Sequence, residues 1–405
     1  MFATIGDKTR HNQGKHRLIV GCLLLGLAAI PDTMVLPVLH DLTVERFAVS
    51  DGVAHYFMAI NLLGAIAAIG VLSTLKRSVS SSGIFISAAI LSAILMSFMA
   101  ISTSWWLFLA LRCLEGGADL LLLAIPFRLI AGAGQQKRYA GRIGGGFTVM
   151  MVALAAGVGA GGVIGKESAE YVLWAGAVIM AVLAATAVIV RRTVDNAPPS
   201  PLPEPHHCPL IPREWIGAAF YAIDRGLAAL VSTSLPILLA SGFNITKTTL
   251  GVALAGMFLA LAAFSYPAGI LADSFGGGKI RLISSLMCGV SLTGLGLMAW
   301  FPPEIILVPC LLVYGVGASG LMPSAFLVAV RKDASNLVFS SLQAAGQAGY
   351  AAGVLGGGLI ITVIVLPPEF MLSRMFPIAG LSFILLNVFL LFMLRIMARR
   401  QGDKP

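Results

Sequence analysis

LIVGCLLLGLAAIPDTMVLPVL, residues 18–39, contains a single charged side chain, Asp32. A helix rises about 1.5 Å per residue and the hydrocarbon core of a bilayer is about 30 Å thick, so a run of this length is a membrane span. Lys8, Arg10, Lys15 and Arg17 precede it as in a secretory signal. The apolar stretch nevertheless continues past Asp32, and eleven more follow, so it is expected to be a retained helix. The twelve runs lie near 18–42, 52–75, 83–103, 105–131, 140–164, 171–190, 215–240, 249–272, 281–300, 304–329, 338–366 and 373–397. Composition agrees. Of 405 residues 58% are hydrophobic and 11% charged, whereas a soluble domain is roughly a quarter charged and needs that charge to face water. The chain reads as an all-α membrane protein whose surroundings are the lipid bilayer.

The net charge of +9 forms no stripe of the kind that binds nucleic acid, because the basic residues fall in short groups between apolar runs. With both termini in the cytoplasm, twenty-one of the 27 lysines and arginines lie on that side, as the retention of positive loops requires. That count includes Lys279, Arg281, Arg331 and Lys332. Trp105, Trp106 and Trp300 then sit at outer helix ends, where amphipathic rings prefer the headgroups. Compact loops and short tails suit a bacterial inner membrane. Five cysteines without CxxC spacing imply no disulfide framework. No GxxxxGK[ST] loop and no HExxH are present, so neither nucleotide hydrolysis nor zinc hydrolysis is supported, and no enzyme activity, cofactor or metal is expected. His206, His207 and Cys208 are adjacent and cannot wrap one ion.

Those three residues lie in a segment with seven prolines, Pro198, Pro199, Pro201, Pro203, Pro205, Pro209 and Pro212, which predicts an extended cytoplasmic linker. It divides the chain into a tail (1–17), an N-terminal six-helix bundle (18–190), the linker (191–214), a C-terminal six-helix bundle (215–397) and a second tail (398–405). The halves resemble each other at an offset of 199. TMVLPVL (33–39) matches STSLPIL (232–238), placing Pro37 on Pro236, while Gly70 falls on Gly269 and Gly116 on Gly315. Two pseudo-symmetric six-helix bundles are expected.

On these residues the chain resembles the major facilitator superfamily. The superfamily's loop signature, GxxxD(R/K)xGR(R/K), is similar to GILADSFGGGK (269–279), with Gly269, Asp273 and Gly276 in place. In GVLSTLKR (70–77) Thr74 replaces the aspartate. The helix 4 signature RxxQG appears at Arg112 to Gly116 with Glu115 for glutamine. The helix 5 signature GPxxGG appears as GVGAGG (157–162) without its proline. Asp32, Thr33, Pro37 and the helix 4 arginine look most like the drug:proton antiporter families. The resemblance implies alternating access, with substrate bound at the midplane among helices 1, 4, 7 and 11. It also implies a cytoplasmic latch in which Asp273, with Gly269 and Gly276, docks near Arg138 and Arg142. A monomer is expected.

Ionisable groups inside a span cost roughly 2.5–3.5 kcal/mol each on insertion scales and need a reason to be there. Asp32, Arg112, Glu115, Asp119, Asp224 and Arg225 are such groups. Arg112, Glu115 and Asp119, at i, i+3 and i+7, share one helix face, and Asp32 is the expected cross-helix partner of Arg112. A carboxylate poised between burial and a nearby cation can trade a proton for cargo; alternatively the cluster only fixes packing. Asp224 and Arg225 point about 100° apart and need separate partners, Asp224 serving as a relay acid or as a pin between helices. Gln343, Gln347 and Tyr350, at i, i+4 and i+7, form a polar stripe for substrate or for interhelical contact. His40 and His55 lie near the outer ends of helices 1 and 2 and are expected to pack. The leading function is proton-coupled export of a small organic solute, with the solute and protons as partners. A facilitator or proton symporter is the alternative, favoured by the missing helix 5 proline and the eroded first loop, followed by a transporter-like receptor or assembly subunit.

Overall fold

Each apolar run is helical in the computed structural model, which describes residues 2–74, 80–131, 139–195, 212–243, 245–329, 336–364 and 366–400. Among the described residues the twelve long helices are α1 (Phe2–Met34), α2 (Tyr56–Thr74), α3 (Ser81–Ile101), α4 (Trp105–Ala131), α5 (Tyr139–Ile164), α6 (Glu170–Ile189), α7 (Pro212–Ala229), α8 (Lys247–Phe275), α9 (Gly277–Leu295), α10 (Pro303–Ala329), α11 (Asn336–Val363) and α12 (Pro368–Arg400). Eleven helices among the described residues are long and apolar enough to cross a membrane. The one left out is α4, which carries Arg112, Glu115 and Asp119. Exposure is inverted relative to a soluble protein: Ile189 is 83% exposed and Leu385 68%, while Glu115 and Arg281 are fully buried. The apolar faces are those that lipid would cover.

The two aligned prolines disturb corresponding helices. After α1 the chain passes through a 3-10 turn at Leu36–Val38, around Pro37, and a π-helical turn at Asp41–Glu45. After α7 it widens into a π-helical turn at Leu230–Ser234 before the helix Leu235–Phe243, which carries Pro236. Proline has no N–H to donate and its ring crowds the preceding turn, so the ladder must tighten or widen beside it.

The chain separates into two units, Met1–Ala48 with Tyr56–Pro201, and Val49–His55 with Leu202–Pro405. Their internal pairings correspond. In the first, α1 packs on α5, α2 on α4, and α3 on α6; in the second, α7 packs on α11, α8 on α10, and α9 on α12. The glycines related by the offset do the same work in each. A Cβ at Gly116 would land on the Asn61 carbonyl of α2, and one at Gly315 on the Met257 carbonyl of α8.

The boundary between units differs from the linker division read from sequence, because the segment before α2 belongs to the second unit. Its turn Asp51–Ala54 is capped by Ser50, whose Oγ accepts from Val53 N at 3.4 Å. Gly52 lies against Gly358 and Thr362 of α11. Arg191–Asp195, the first residues of the segment read as a linker, are helical. Asp195 accepts hydrogen bonds from Ser82 N at 2.9 Å and Ser82 Oγ at 2.7 Å, and a carboxylate satisfies the open amides at a helix start. Pro212 opens α7, a position where its missing N–H costs nothing. His206, His207 and Cys208 lie outside the described residues.

Between α8 and α9 the loop signature shrinks to one residue, Gly276, at φ +88° and ψ 138°. An L side chain is strained there, so Gly276→Ala is expected to lower stability by about 1–2 kcal/mol in a detergent melt. Gly269→Ala is the control, because a Cβ at Gly269 meets nothing within 4 Å. Equal melts for the two variants would remove the backbone argument.

Candidate functional site: a carboxyl pair in the first unit

Asp32 is set in place by the glycine signature of α5. A Cβ at Gly157 would land on the Ile30 carbonyl and one at Gly161 on the Met34 carbonyl, on either side of Asp32. Thr33 Oγ1 donates to the Leu154 carbonyl at 2.7 Å. Backbone therefore meets backbone on either side of Asp32. Gly157→Val is expected to cost about 1–3 kcal/mol by overpacking, whereas Gly26→Ala, whose Cβ would stand 3.7 Å from Val149, should melt like wild type. Matching melts for both would mean the two helices give way freely.

The half-buried Asp32 carboxyl lies within hydrogen-bonding reach of Asp119 on α4, and Asp119 is also within reach of the Asn61 side chain on α2. Asn61 is brought there by close approach of α2 to α4, where Gly64 faces the Cys113 carbonyl and Gly116 faces Asn61 itself. Asp119 is buried, and its Oδ1 has no hydrogen-bond donor among the described residues. Two carboxyl groups can hydrogen-bond to each other only through a proton carried by one of them. The pair is thus a place where a proton can be held and given up.

Arg112 departs from the pairing expected of it. It donates to Glu115 one turn along its own helix, and its Cζ stands 5.0 Å from the centroid of the Phe57 ring. Glu115 also accepts from Ser92 Oγ of α3 at 3.2 Å. The i, i+3 spacing makes Glu115 the shortest reach for the guanidinium. Asp32 instead has Asp119 as its hydrogen-bonding neighbour, with Arg112 near enough to act on both electrostatically. Three carboxyls and one guanidinium are gathered in this unit, and Asn61 joins them without a sequence signal, since an asparagine on a membrane helix breaks no rule of composition.

In the second unit Asp224 is gripped by Arg281, expected from the sequence among the cytoplasmic loop charges and found instead inside the packed helices. Arg281 is fully buried and donates from Nη1 to Asp224 Oδ2 at 2.7 Å and from Nη2 to Asp224 Oδ1 at 2.5 Å. It also donates from Nε to Asn387 Oδ1 at 2.7 Å, and to the Leu321 and Phe220 carbonyls at 3.1 and 3.3 Å. Because α9 starts immediately after Gly276, Arg281 sits inside the first turns of the helix rather than in a loop. Asp224 therefore has the geometry of a pin between α7 and α9.

Arg225 turns the other way. Its Cζ lies 5.0 Å from the centroid of Tyr350 on α11, and the Tyr350 hydroxyl is 3.0 Å from Ser232 Oγ. Gln347 is exposed, and the side chain of Gln343 lies outside those described. Close packing of α7 on α11 is provided by Gly346, Gly349 and Gly353 against Tyr221, Ala222 and Gly226. Asp273 is exposed at the end of α8, while Arg138 and the Arg142 side chain are outside the described residues. His55 is buried and satisfied, with Nδ1 2.8 Å from the Asp51 carbonyl and Nε2 2.9 Å from Ser234 Oγ. His40 Nδ1 is 3.8 Å from carboxylate oxygens of both Asp41 and Glu45.

No protein-family model and no curated protein sequence matches the chain. Solved structures do. The chain is similar to the nucleoside transporter NupG at 15% identity and TM-score 0.65, covering 93% of this chain and 99% of that one. It is similar to a bacterial homolog of the human lysosomal transporter Spinster, in an inward-facing and occupied conformation, at 15% identity and TM-score 0.70, covering 94% and 96%. It is similar to PepTSo2 at 10% identity and TM-score 0.74, covering 95% and 99%. The chain thus has the twelve-helix fold of these solved structures.

Proposed function

We propose that this protein is a secondary transporter that moves a small organic solute by alternating access and couples the movement to protons at Asp32 and Asp119. The observation that carries the proposal is the approach of half-buried Asp32 to buried Asp119, two carboxyls that can share a proton where an ionised group needs a compensating role. Fold similarity to a protein described as a nucleoside transporter supports a small organic cargo. Export by antiport follows if cargo and proton compete for the same acids, since each then leaves as the other binds. Symport is the second reading, favoured by the absence of the antiporter proline from Gly157–Gly162. The bias of lysine and arginine supports an orientation with both termini in the cytoplasm.

The test uses the full chain in proteoliposomes with a trapped pH-sensitive dye and a panel of nucleosides, dipeptides, organic cations and organic acids added outside. Antiport alkalinises the lumen as a solute enters and a proton leaves. Symport acidifies it. Solute entry with no lumenal pH change removes the coupling, and no entry of any solute removes transport.

A further inference from the structure

We propose that Arg225, laid against the Tyr350 ring, is the anion-binding group of the second unit, so that the solute carried by this protein bears a carboxylate or a phosphate. The inference deepens the transport reading and rests on it.

Among the described residues the other charges deep in the spans have partners. Arg112 has Glu115, Arg281 has Asp224, and Asp32 and Asp119 face each other. Arg225 has no carboxylate within 4.0 Å among the described residues. Asp224, its neighbour in sequence, points away and has both oxygens engaged by Arg281. Arg225 is half-buried, not sealed, in the span Trp215–Phe243. It is ten residues from Trp215 (225 − 215 = 10), or about 15 Å along a helix, too deep for a lipid phosphate to reach without distorting the bilayer. A bare cation at that depth must face a wetted path or meet an anion.

Its surroundings suit the second role. The Tyr350 hydroxyl is fixed by Ser232, which holds the ring still beneath the guanidinium. A ring face offsets part of a cation's charge and leaves the planar fork of N–H donors open at its edge. That fork matches carboxylate and phosphate oxygens two at a time. Gln347 lies one turn before Tyr350 on the same side of α11 and is exposed, so an amide with two donors stands near the same face. An exposed glutamine on a membrane helix is itself a mark of a wetted surface rather than a lipid-facing one.

The experiment measures melting of the full-length protein in neutral detergent with benzoate, glutarate and glucose 6-phosphate, each matched to benzamide, glutaramide and glucose. At least one anion is expected to raise the midpoint while its neutral mate does not. Arg225→Gln is expected to weaken that anion's apparent affinity by at least about tenfold, and Arg225→Lys, which keeps the charge but loses the fork, by less. Equal shifts from neutral mates, wild-type affinity in Arg225→Gln, or no anion shift across the panel would each overturn the assignment. A shift given by phosphatidylglycerol micelles and by no soluble anion would overturn it in favour of a lipid headgroup. Binding in detergent needs no transport, so the two readings fail separately. Anion binding without proton-linked flux sinks the coupling alone, and flux of only neutral or cationic solutes without anion binding sinks this site alone.

Discussion

Asp32→Asn and Asp119→Asn proteins are expected to lose flux driven by a pH gradient by about a hundredfold or more, while still exchanging labelled for unlabelled solute. The magnitude is that of removing a proton-transfer group from its site. Asparagine keeps the shape of aspartate and can donate to the remaining carboxyl, so the contact between α1 and α4 survives. What it cannot do is release a proton. Net flux coupled to protons therefore stops, whereas exchange, which returns the protein through its loaded states, needs no change of protonation. The two single variants should resemble each other and the double variant, because the carboxyls act as one unit. Melting midpoints close to wild type would show that the loss is chemical and not a failure to fold. If both single variants still respond to the gradient, the pair is structural and the coupling lies elsewhere.

Arg281→Gln is expected to destabilise the second unit by about 3–5 kcal/mol, the usual cost of leaving one partner of a buried ion pair behind. Arg281 has five hydrogen bonds to Asp224, Asn387 and two carbonyls, and its Cζ stands 4.2 Å from the Phe220 ring centroid. Removal strands an uncompensated carboxylate among α7, α9 and α10. Arg281→Lys should restore only part of the loss, since an ammonium cannot hold both oxygens of Asp224 and the Asn387 oxygen at once. Asp224→Leu with Arg281→Met should recover most of it, because two charges are then removed together. Denaturant unfolding of the purified protein reads all three. A loss below about 1 kcal/mol in Arg281→Gln would show that water already reaches the pair and that Asp224 is open to a relay role after all.

The two halves differ chemically in a way that bears on both expectations. At the offset of 199, Asp32 corresponds to Val231 (32 + 199), Arg112 to Leu311 (112 + 199), Glu115 to Tyr314 (115 + 199) and Asp119 to Ala318 (119 + 199). Asn61 corresponds to Ala260 (61 + 199), the side chain that also lies beside Gly315. The helix pairings repeat but the acids do not, so the proposed proton handling falls to the first unit. Conversely, Arg225 corresponds to Gly26 (225 − 199), so the cation laid against Tyr350 has no counterpart at that offset.

Twelve spans were legible because lipid imposes one rule on length and polarity, and a run such as 18–39 satisfies it without reference to anything else in the chain. The same rule made Asp32, Asp119, Asp224 and Arg225 conspicuous, since a charge in oil is costly wherever its partner lies. Which partner each one meets was decided by tertiary structure. Asp224 and Arg281 are 57 residues apart in the chain, and they touch because Gly276 turns at φ +88° and starts α9 early enough to carry Arg281 inside. Asp32 faces Asp119 because Gly157 and Gly161 let α5 press on the backbone around it. Hydrophobicity is a property of single segments and can be read from them; ion pairing depends on distance and direction between segments, which come into being only when glycine contacts and helix starts set the packing.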